Sequence, residues 1–93
     1  MLKSELVRLL AGEFPQMSQK EVDRIVDHMI EKMISVLETG GRVEFRGFGT
    51  FSVKSRRARH GRNPQTGQNV TVPEKRVLGF RAGKELRERV QDR

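Results

Sequence analysis

The sequence contains no cysteine, tryptophan or tyrosine among its 93 residues, and it has only three prolines. Without cysteine there is neither a disulfide framework nor a cysteine-bound metal, which fits a reducing compartment. No apolar run approaches the ~18 residues that a membrane span requires. Charges interrupt the apolar residues at the start of the chain, so we expect no secretory signal and a cytoplasmic protein.

Acidic residues are missing from one long stretch of the chain, because none lies between Glu44 and Glu74. Residues 1–41 carry a net charge of −2 and residues 42–93 carry +9, for a total of +7. This asymmetry indicates a polyanionic partner for the second half. Nucleic acid is the leading candidate and a membrane surface the second, and a soluble basic domain without such a partner stays open.

Signals of enzymatic chemistry are also lacking. His28 and His60 have no cysteine or acidic companions at ligand spacing, so no metal site is predicted. Residues 46–51, RGFGTF, contain two glycines but lack the third glycine and the following helix of a dinucleotide-binding fingerprint. No serine, histidine and aspartate set stands out as a nucleophile system. We therefore expect a protein that is not an enzyme and uses no cofactor.

The first half of the chain predicts two helices. Apolar residues recur at helical spacing up to Phe14, and Pro15 ends the first helix. Ser18 and Glu21 form a capping box before a second helix that ends at glycines 40–41. The second helix has more apolar face than one short neighbour covers, and the chain is small, so two copies are expected to pack together. The apolar positions are Leu6, Leu9 and Leu10, then Val22, Ile25, Val26, Met29, Ile30, Met33, Val36 and Leu37.

The apolar period changes from 3.6 to 2 in the second half. Val43 and Phe45 alternate with charged residues, and the alternation resumes at Phe51 and Val53, which predicts a hairpin with one buried and one charged face. Residues 77–80 supply a third apolar strand, and a short charged helix closes the chain. The predicted fold class is α+β, with two N-terminal helices, a three-stranded antiparallel sheet carrying a β-ribbon arm, and a short C-terminal helix.

The arm covers about residues 54–73, and its residues 54–69 contain a single apolar side chain, Ala58. Its turn is GRNPQTG, residues 61–67, with strand-like segments on both sides and nothing to pack beneath them. Because a two-stranded ribbon is marginal alone in water, the arm is expected to project and to be mobile until something holds it. A disordered loop is the alternative.

The arm has the shape and charge to enter a nucleic-acid groove. Its arginines can reach phosphates or a narrow minor groove; they are Arg56, Arg57, Arg59 and Arg62. Pro64, in the turn, has a fixed φ and no N–H, so it can wedge between base pairs and kink a duplex. An ordinary turn proline is the alternative interpretation.

Residues 47–66, GFGTFSVKSRRARHGRNPQT, resemble the signature of the HU and integration host factor family of bacterial DNA-bending proteins. The likeness covers nearly the whole chain, and RVEFRGFGTF together with GKELRERV is most similar to the beta-subunit branch of that family. The resemblance implies an intertwined dimer in the bacterial nucleoid, whose arms hold double-stranded DNA in the minor groove and bend it. It implies no cofactor and no membrane partner.

The resemblance also implies roles for particular residues. Pro64 matches the intercalating proline at the arm tip, and Arg59, Arg62 and Asn63 match neighbouring arm contacts. Residues at positions where family members clamp the duplex flanks are Lys3, Ser4, Lys75, Arg81, Lys84 and Arg87. Ala82 departs from the family, which usually has proline there, and so predicts a less rigid approach to the last helix.

Family members divide into sequence-preferring heterodimers and general homodimers like HU. Arg42, Glu44 and Arg46 share the exposed face of the first strand by alternation. Glu44 is then either a solvated strand residue or a group that holds Arg46 against a base edge. We expect one DNA-bending domain, residues 1–93, with a helical dimerisation part at about 1–41 and the sheet, arm and last helix at about 42–93.

Two other classes of protein compete with this interpretation. An RNA-binding or ribosomal protein would also be small and basic, but the chain has no surface aromatic set for stacking unpaired bases. The second is a structural assembly module whose arms grip another protein.

Overall fold

The computed structural model describes residues 1–56, 59–72 and 74–92. It confirms the predicted α+β fold of helices, three-stranded sheet and ribbon. No helix in the described ranges is long and apolar enough to cross a membrane. The elements are α1 (Lys3–Glu13), α2 (Gln19–Glu38), β1 (Val43–Phe45), β2 (Gly49–Arg56), β3 (Arg59–Arg62), β4 (Asn69–Val72), β5 (Lys75–Ala82) and α3 (Lys84–Gln91).

The chain divides into two compact units, Met1–Ser35 and Val36–Arg93. In the first unit α1 and α2 pack around Val7, Val22 and Val26, which are the buried apolar side chains of the described chain. Three partly buried side chains surround them: Leu10, Ala11 and Met17. Such a core is small for 93 residues, so the chain needs further burial to be stable.

The apolar stripe of the helices extends well beyond this core. Of the stripe predicted on α2, only Val22 and Val26 are buried, and on α1 the buried residue is Val7 rather than Leu9, which is 61% exposed. Met33 and Leu37 are partly buried, and five large apolar residues of α2 are exposed: Ile25, Met29, Ile30, Ile34 and Val36. From the sequence, we expect a second copy of the chain to cover this exposed face.

The predicted capping box starts α2. The backbone N–H of Ser18 donates to Glu21 Oε1, and the N–H of Glu21 donates to Ser18 Oγ, both at 3.1 Å. Two backbone donors that lack helical partners are thereby satisfied. These bonds, the one from the Ser18 backbone first, hold the pKa of Glu21 below its ordinary value.

The three-stranded sheet has the order β1-β2-β5, and both pairings are antiparallel. Its register runs from Gly49↔Ala82 to Arg56↔Lys75 without a break. Since side chains alternate along a strand, this register separates an apolar from a polar face. The apolar face carries Val43, Phe45, Phe51, Val53, Leu78 and Phe80. The polar face carries Glu44, Thr50, Ser52, Lys54, Val77, Gly79 and Arg81.

The apolar face is held by ring contacts but is not covered within its own unit. The Phe80 ring lies 4.7 Å from the Phe51 ring and 5.5 Å from the Phe48 ring, centroid to centroid and in tilted geometry. Leu78, on the same face, is nevertheless 60% exposed. The sheet therefore also leaves apolar surface for a partner.

The last helix is anchored on the β1–β2 turn. The N–H of Gly83 donates to the Phe48 carbonyl at 2.8 Å, and the N–H of Leu86 donates to the Gly47 carbonyl at 3.0 Å. Ala82 is the last residue of β5 and pairs with Gly49. The approach to α3, expected to be less rigid without a proline, is thus held by the ladder and by these two bonds.

The capping box gives a stability prediction. Replacing Ser18 by alanine removes the hydroxyl acceptor of the Glu21 N–H, so the free energy of unfolding should fall by about 1 kcal/mol. Urea unfolding at one fixed protein concentration measures this. Ser4→Ala, an exposed serine in the first turn of α1, is the matched control and should change stability little. Equal losses in the two variants would contradict the role of the cap.

The same box makes part of the stability depend on pH. Because the pKa of Glu21 is lowered in the folded chain, its contribution is present above the ordinary value of 4.5 and is lost as the pH falls through the folded value. Glu21→Gln should therefore lose less stability than the unchanged chain on acidification. The measurement is urea unfolding at neutral pH and again below pH ~4.

Candidate nucleic-acid interface

The polar face of the sheet forms the floor of a cleft of about 580 Å³. Strands β2 and β5 supply the floor, and the start of α3 supplies one wall. The cleft is lined by Arg42, Thr50, Ser52, Lys54, Gly79, Phe80, Arg81, Ala82, Gly83, Lys84 and Arg87. All of these residues belong to the second unit, which also holds the excess positive charge.

Five cations surround the cleft, and none of the described residues that line it is acidic. Arg81 projects from β5 opposite Thr50, and Lys54 projects from β2 opposite Val77. The other three cations are Arg42, Lys84 and Arg87. A concave surface lined by one sign of charge concentrates a polyanion, so this arrangement suits a sugar–phosphate backbone.

The structure brings together four residues that the sequence placed in the site and adds a fifth. Arg42, Arg81, Lys84 and Arg87 share the cleft as predicted site residues, whereas Lys54 was assigned only to the beginning of the arm. Alternation could have found it, because Lys54 lies two residues after Ser52 on the polar face of β2.

Glu44 has a different partner from the one considered in the sequence. Its Oε1 accepts from Arg42 Nη2 at 2.5 Å, and the Thr50 hydroxyl donates to the same oxygen at 3.4 Å. The alternative in which Glu44 holds Arg46 against a base edge stays a prediction, while the contact present in this structure is with Arg42. The bond from Arg42 and its positive charge lower the pKa of Glu44. Glu44 thus orients an arginine of the cleft rather than Arg46.

Arg46 lies at a separate, shallower depression of about 220 Å³. It lines this depression with Gly47, Phe48 and residues of α3. There Glu85 pairs with Arg89 at 2.8 Å, one helical turn apart. The structure therefore places Arg46 beside the β1–β2 turn and outside the cleft that holds Arg42.

The predicted flank contacts on α1 belong to the first unit. Lys3 Nζ lies 2.5 Å from Asp27 Oδ1 and 3.3 Å from Asp23 Oδ1, so its charge is balanced within the unit. The bond to Asp27 is the main reason that the pKa of Lys3 is raised. Ser4 is exposed in the first turn of the same helix. For Lys3 to contact a phosphate, it must exchange these aspartates for the phosphate.

The arm is a two-stranded antiparallel ribbon in which Arg62 pairs with Asn69. Arg62 is exposed, and Lys75 is exposed at the start of β5, opposite Arg56. The backbone of Arg56 lies in β2 and that of Arg59 lies in β3. Arg57 lies outside the described residues. The ribbon that the sequence predicted is therefore present, with the pairing register of a hairpin.

The tip of the arm is a closed turn built around Asn63. The N–H of Asn63 donates to the Gln68 carbonyl at 2.8 Å, and the N–H of Gly67 returns a bond to the Asn63 carbonyl at 2.7 Å. Asn63 Oδ1 accepts from the Gln65 N–H at 2.9 Å. Gly67 has a φ of +72° with open space around it, so the backbone conformation alone requires glycine there.

Pro64 occupies a turn position where a missing N–H removes none of the hydrogen bonds of the tip. The bonds of the tip are made by its neighbours, and the ring is exposed at the end of the ribbon. The Asn63 side chain accepts from the backbone N–H two residues further on, which forms an Asx turn. Such a turn needs no neighbouring helix or strand to hold it. The turn therefore presents a rigid apolar ring between two polar residues.

Not every basic residue of the sheet belongs to this interface. Arg76 lies on the apolar face of β5, where its Nη1 donates to the carbonyl of Glu38 at 2.9 Å. Carbonyls at a helix C-terminus lack helical partners, so this guanidinium caps α2. Arg76 is consequently a structural cation, although it follows Lys75 directly in the sequence.

Comparison with known families identifies the class of protein to which the chain belongs. A sheet with one cationic face beside a basic ribbon is suited to bind a polyanion such as DNA. The family model described as bacterial DNA-binding protein matches residues 1–91. The chain therefore belongs to this family of bacterial DNA-binding proteins, which includes HU and integration host factor.

Individual relatives share the sequence and the fold over nearly the whole chain. The integration host factor subunit beta of Dichelobacter nodosus (strain VCS1703A) is 52% identical over 92 residues, which cover 99% of this chain and 96% of that protein. The Anabaena HU–DNA cocrystal structure matches with a TM-score of 0.76 and 39% identity, covering 97% of each chain. A mutant HU from Thermotoga maritima matches with a TM-score of 0.68 and 27% identity, covering 97% of this chain and 99% of that one.

Membership of the family settles several sequence-based predictions. Members bind DNA and form homodimers or heterodimers, which confirms the predicted partners, double-stranded DNA and a homologous subunit. Members are architectural proteins rather than enzymes, which confirms the prediction that this chain is not an enzyme. The particular DNA-contacting residues stay predictions, which substitution can test.

Two arginines on opposite faces of β5, Arg81 and Arg76, provide that test. Arg81→Met should weaken duplex binding and reduce the slope of log K against log salt by about 0.9, because one phosphate contact is lost. Arg76→Met should leave the slope unchanged and lower the free energy of unfolding by about 1 kcal/mol, because the Glu38 carbonyl loses its donor. Salt titrations by fluorescence anisotropy and urea unfolding measure the two effects. A reduced slope in both variants would contradict the separation of the faces.

Proposed function

We propose that this protein bends duplex DNA by laying its arms in the minor groove and inserting Pro64 between base pairs. The observation that carries the proposal is the tip of the arm, where a closed turn presents the exposed ring of Pro64. A wedge must remain rigid while it separates stacked bases. The bonds around Asn63 fix the backbone, and the ring has no donor that insertion would leave unsatisfied.

The cationic cleft supports bending as well as binding. A bent duplex is held only if contacts beyond the kink offset the cost of deformation, which is of the order of several kcal/mol. Arg42, Lys54 and Arg81 on the sheet and Lys84 and Arg87 on α3 provide such contacts in one concave surface. In a dimer this surface occurs twice, so the two flanks of one kinked site can be held at once.

We further propose that the chain is a sequence-preferring subunit of the integration host factor beta type, acting with a homologous alpha subunit in the bacterial nucleoid. Its bends would serve recombination, transcription and replication complexes. The 52% identity to an integration host factor subunit beta supports this assignment. The contact between Glu44 and Arg42 supports it physically, since a carboxylate beside DNA is costly unless it orients a group that reads the site. The alternative is a general HU-like homodimer, favoured by the match to the Anabaena HU–DNA structure.

The wedge is tested at the arm tip. Pro64→Ala replaces the rigid ring by a methyl group and restores an N–H, so the bend angle should decrease while binding changes less. Energy transfer between dyes at the two ends of a duplex measures the bend, and anisotropy measures binding.

The matched control is Gln65→Ala, which changes an exposed side chain in the same turn and keeps the N–H that donates to Asn63 Oδ1. It should leave the bend unchanged. If Pro64→Ala bends DNA as strongly as the unchanged protein, the wedge is disproved.

Sequence preference is tested at Glu44. Glu44→Ala releases Arg42 from its carboxylate partner and removes a negative charge from the polar face. Preference for a favoured site over random duplex should fall, while non-specific binding stays the same or tightens. Competition binding with both duplexes measures the ratio of affinities.

Glu31→Ala, on the exposed surface of α2, removes the same charge from a residue outside the cleft lining and should keep the preference. Equal losses of affinity on favoured and random sequences would remove the proposed role of Glu44. Co-purification from the native cell followed by mass analysis separates a heterodimer from a homodimer.

A further inference from the structure

Gly79 lies in the floor of the cationic cleft, in the middle of β5. It pairs directly with Ser52 on β2 and has Val77 and Arg81 as its neighbours along the same face. Every other position of β5 on this face carries a side chain, so Gly79 leaves a gap in the floor. The gap faces the cleft, because the side chains of Leu78 and Phe80 extend from the opposite face of the strand.

Nothing within the described chain requires glycine at this position. A Cβ built on Gly79 would meet no atom closer than the Ser52 carbonyl oxygen at 4.0 Å, and its φ lies outside the left-handed region. Other glycines of the unit have clear internal reasons. A Cβ on Gly49 would lie 2.5 Å from the Phe80 ring, and one on Gly83 would lie 2.8 Å from the Gly47 backbone.

Glycine inside a strand weakens the strand, and where it occurs it marks a bulge or a place where a ligand or another backbone approaches closely. A bulge is excluded because the pairing of β2 with β5 is continuous through Ser52↔Gly79. Close approach from outside is the reason that remains. The cationic lining of the cleft identifies the class of ligand as a polyanion.

We propose that Gly79 admits one sugar–phosphate strand of the duplex flank into direct contact with the floor of the sheet. The inference rests on the proposed function and names the point of closest approach. With no side chain at 79, a phosphate can descend between Lys54 and Arg81 to the level of the Ser52 hydroxyl. A methyl group at 79 would hold the strand away from these donors. Gly79 is therefore a positioning residue that sets the depth of the DNA.

The test compares two substitutions of increasing size in the full-length protein with a defined duplex. Gly79→Ala should reduce affinity by about tenfold, which corresponds to the loss of one hydrogen bond to a charged phosphate. Gly79→Val should reduce it further, and both should lower the salt slope. Both should leave the melting temperature without DNA unchanged or raised, because alanine and valine suit a strand better than glycine.

Hydroxyl-radical footprinting measures local protection of the DNA backbone, which would not change if Gly79 served only the fold. Protection of the backbone should be lost on one stretch of each duplex flank in Gly79→Val and persist at the arm sites. The control is Gly12→Ala on α1, where an added Cβ also meets nothing within 4 Å, and it should bind DNA normally.

Three outcomes would overturn the inference. Unchanged affinity and footprint in both variants would show that no strand approaches Gly79. A lower melting temperature would show that the glycine serves the fold, and loss of dimerisation in light scattering would assign the gap to the partner subunit. Failure of the proposed function is distinguishable, since the unchanged protein would then fail to bend the duplex whatever residue stands at 79.

Discussion

The pairing of β2 with β5 is the constraint on which the rest of the structure depends. Eight consecutive antiparallel pairs fix which side chains share a face, from Gly49↔Ala82 at one end to Arg56↔Lys75 at the other. A slip of one residue would turn Phe51 and Phe80 to the polar side and Arg81 to the apolar side. The same ladder positions the start of α3 through Gly83. The cationic cleft and the ring contacts follow from this register.

A shortage of core connects the fold to oligomerisation. Val7, Val22 and Val26 are the only buried apolar side chains in the described chain, while large apolar residues stay exposed on α2 and on the apolar face of the sheet. A single copy leaves both surfaces in water, which is unfavourable for so small a protein. Dimer formation, shared by the family, covers surfaces of this kind and doubles the number of clefts and arms. We therefore expect stability and DNA binding to depend on the same association.

Much of the fold could be predicted from the sequence because its signals are local. Ser18 and Glu21 indicated the start of α2, and the alternation around Phe45 and Phe51 indicated the sheet. Pairings across strands were harder to predict. Glu44 could be placed on the charged face, but whether it contacts Arg42 or Arg46 depends on side-chain geometry that alternation leaves open. The roles of Arg76 and Gly79 were missed because they depend on which face of β5 each residue occupies and on what lies opposite.

We expect the polar face of the sheet and the tip of the arm to hold the duplex. The most direct measurement is a titration of isotope-labelled protein with duplex DNA, followed by backbone amide resonances in NMR. If they do, the largest changes in amide resonances occur at Ser52, Gly79 and Arg81 and in the turn between Asn63 and Gln68. Changes confined to α1 and α2, with the sheet and the turn unaffected, would contradict it.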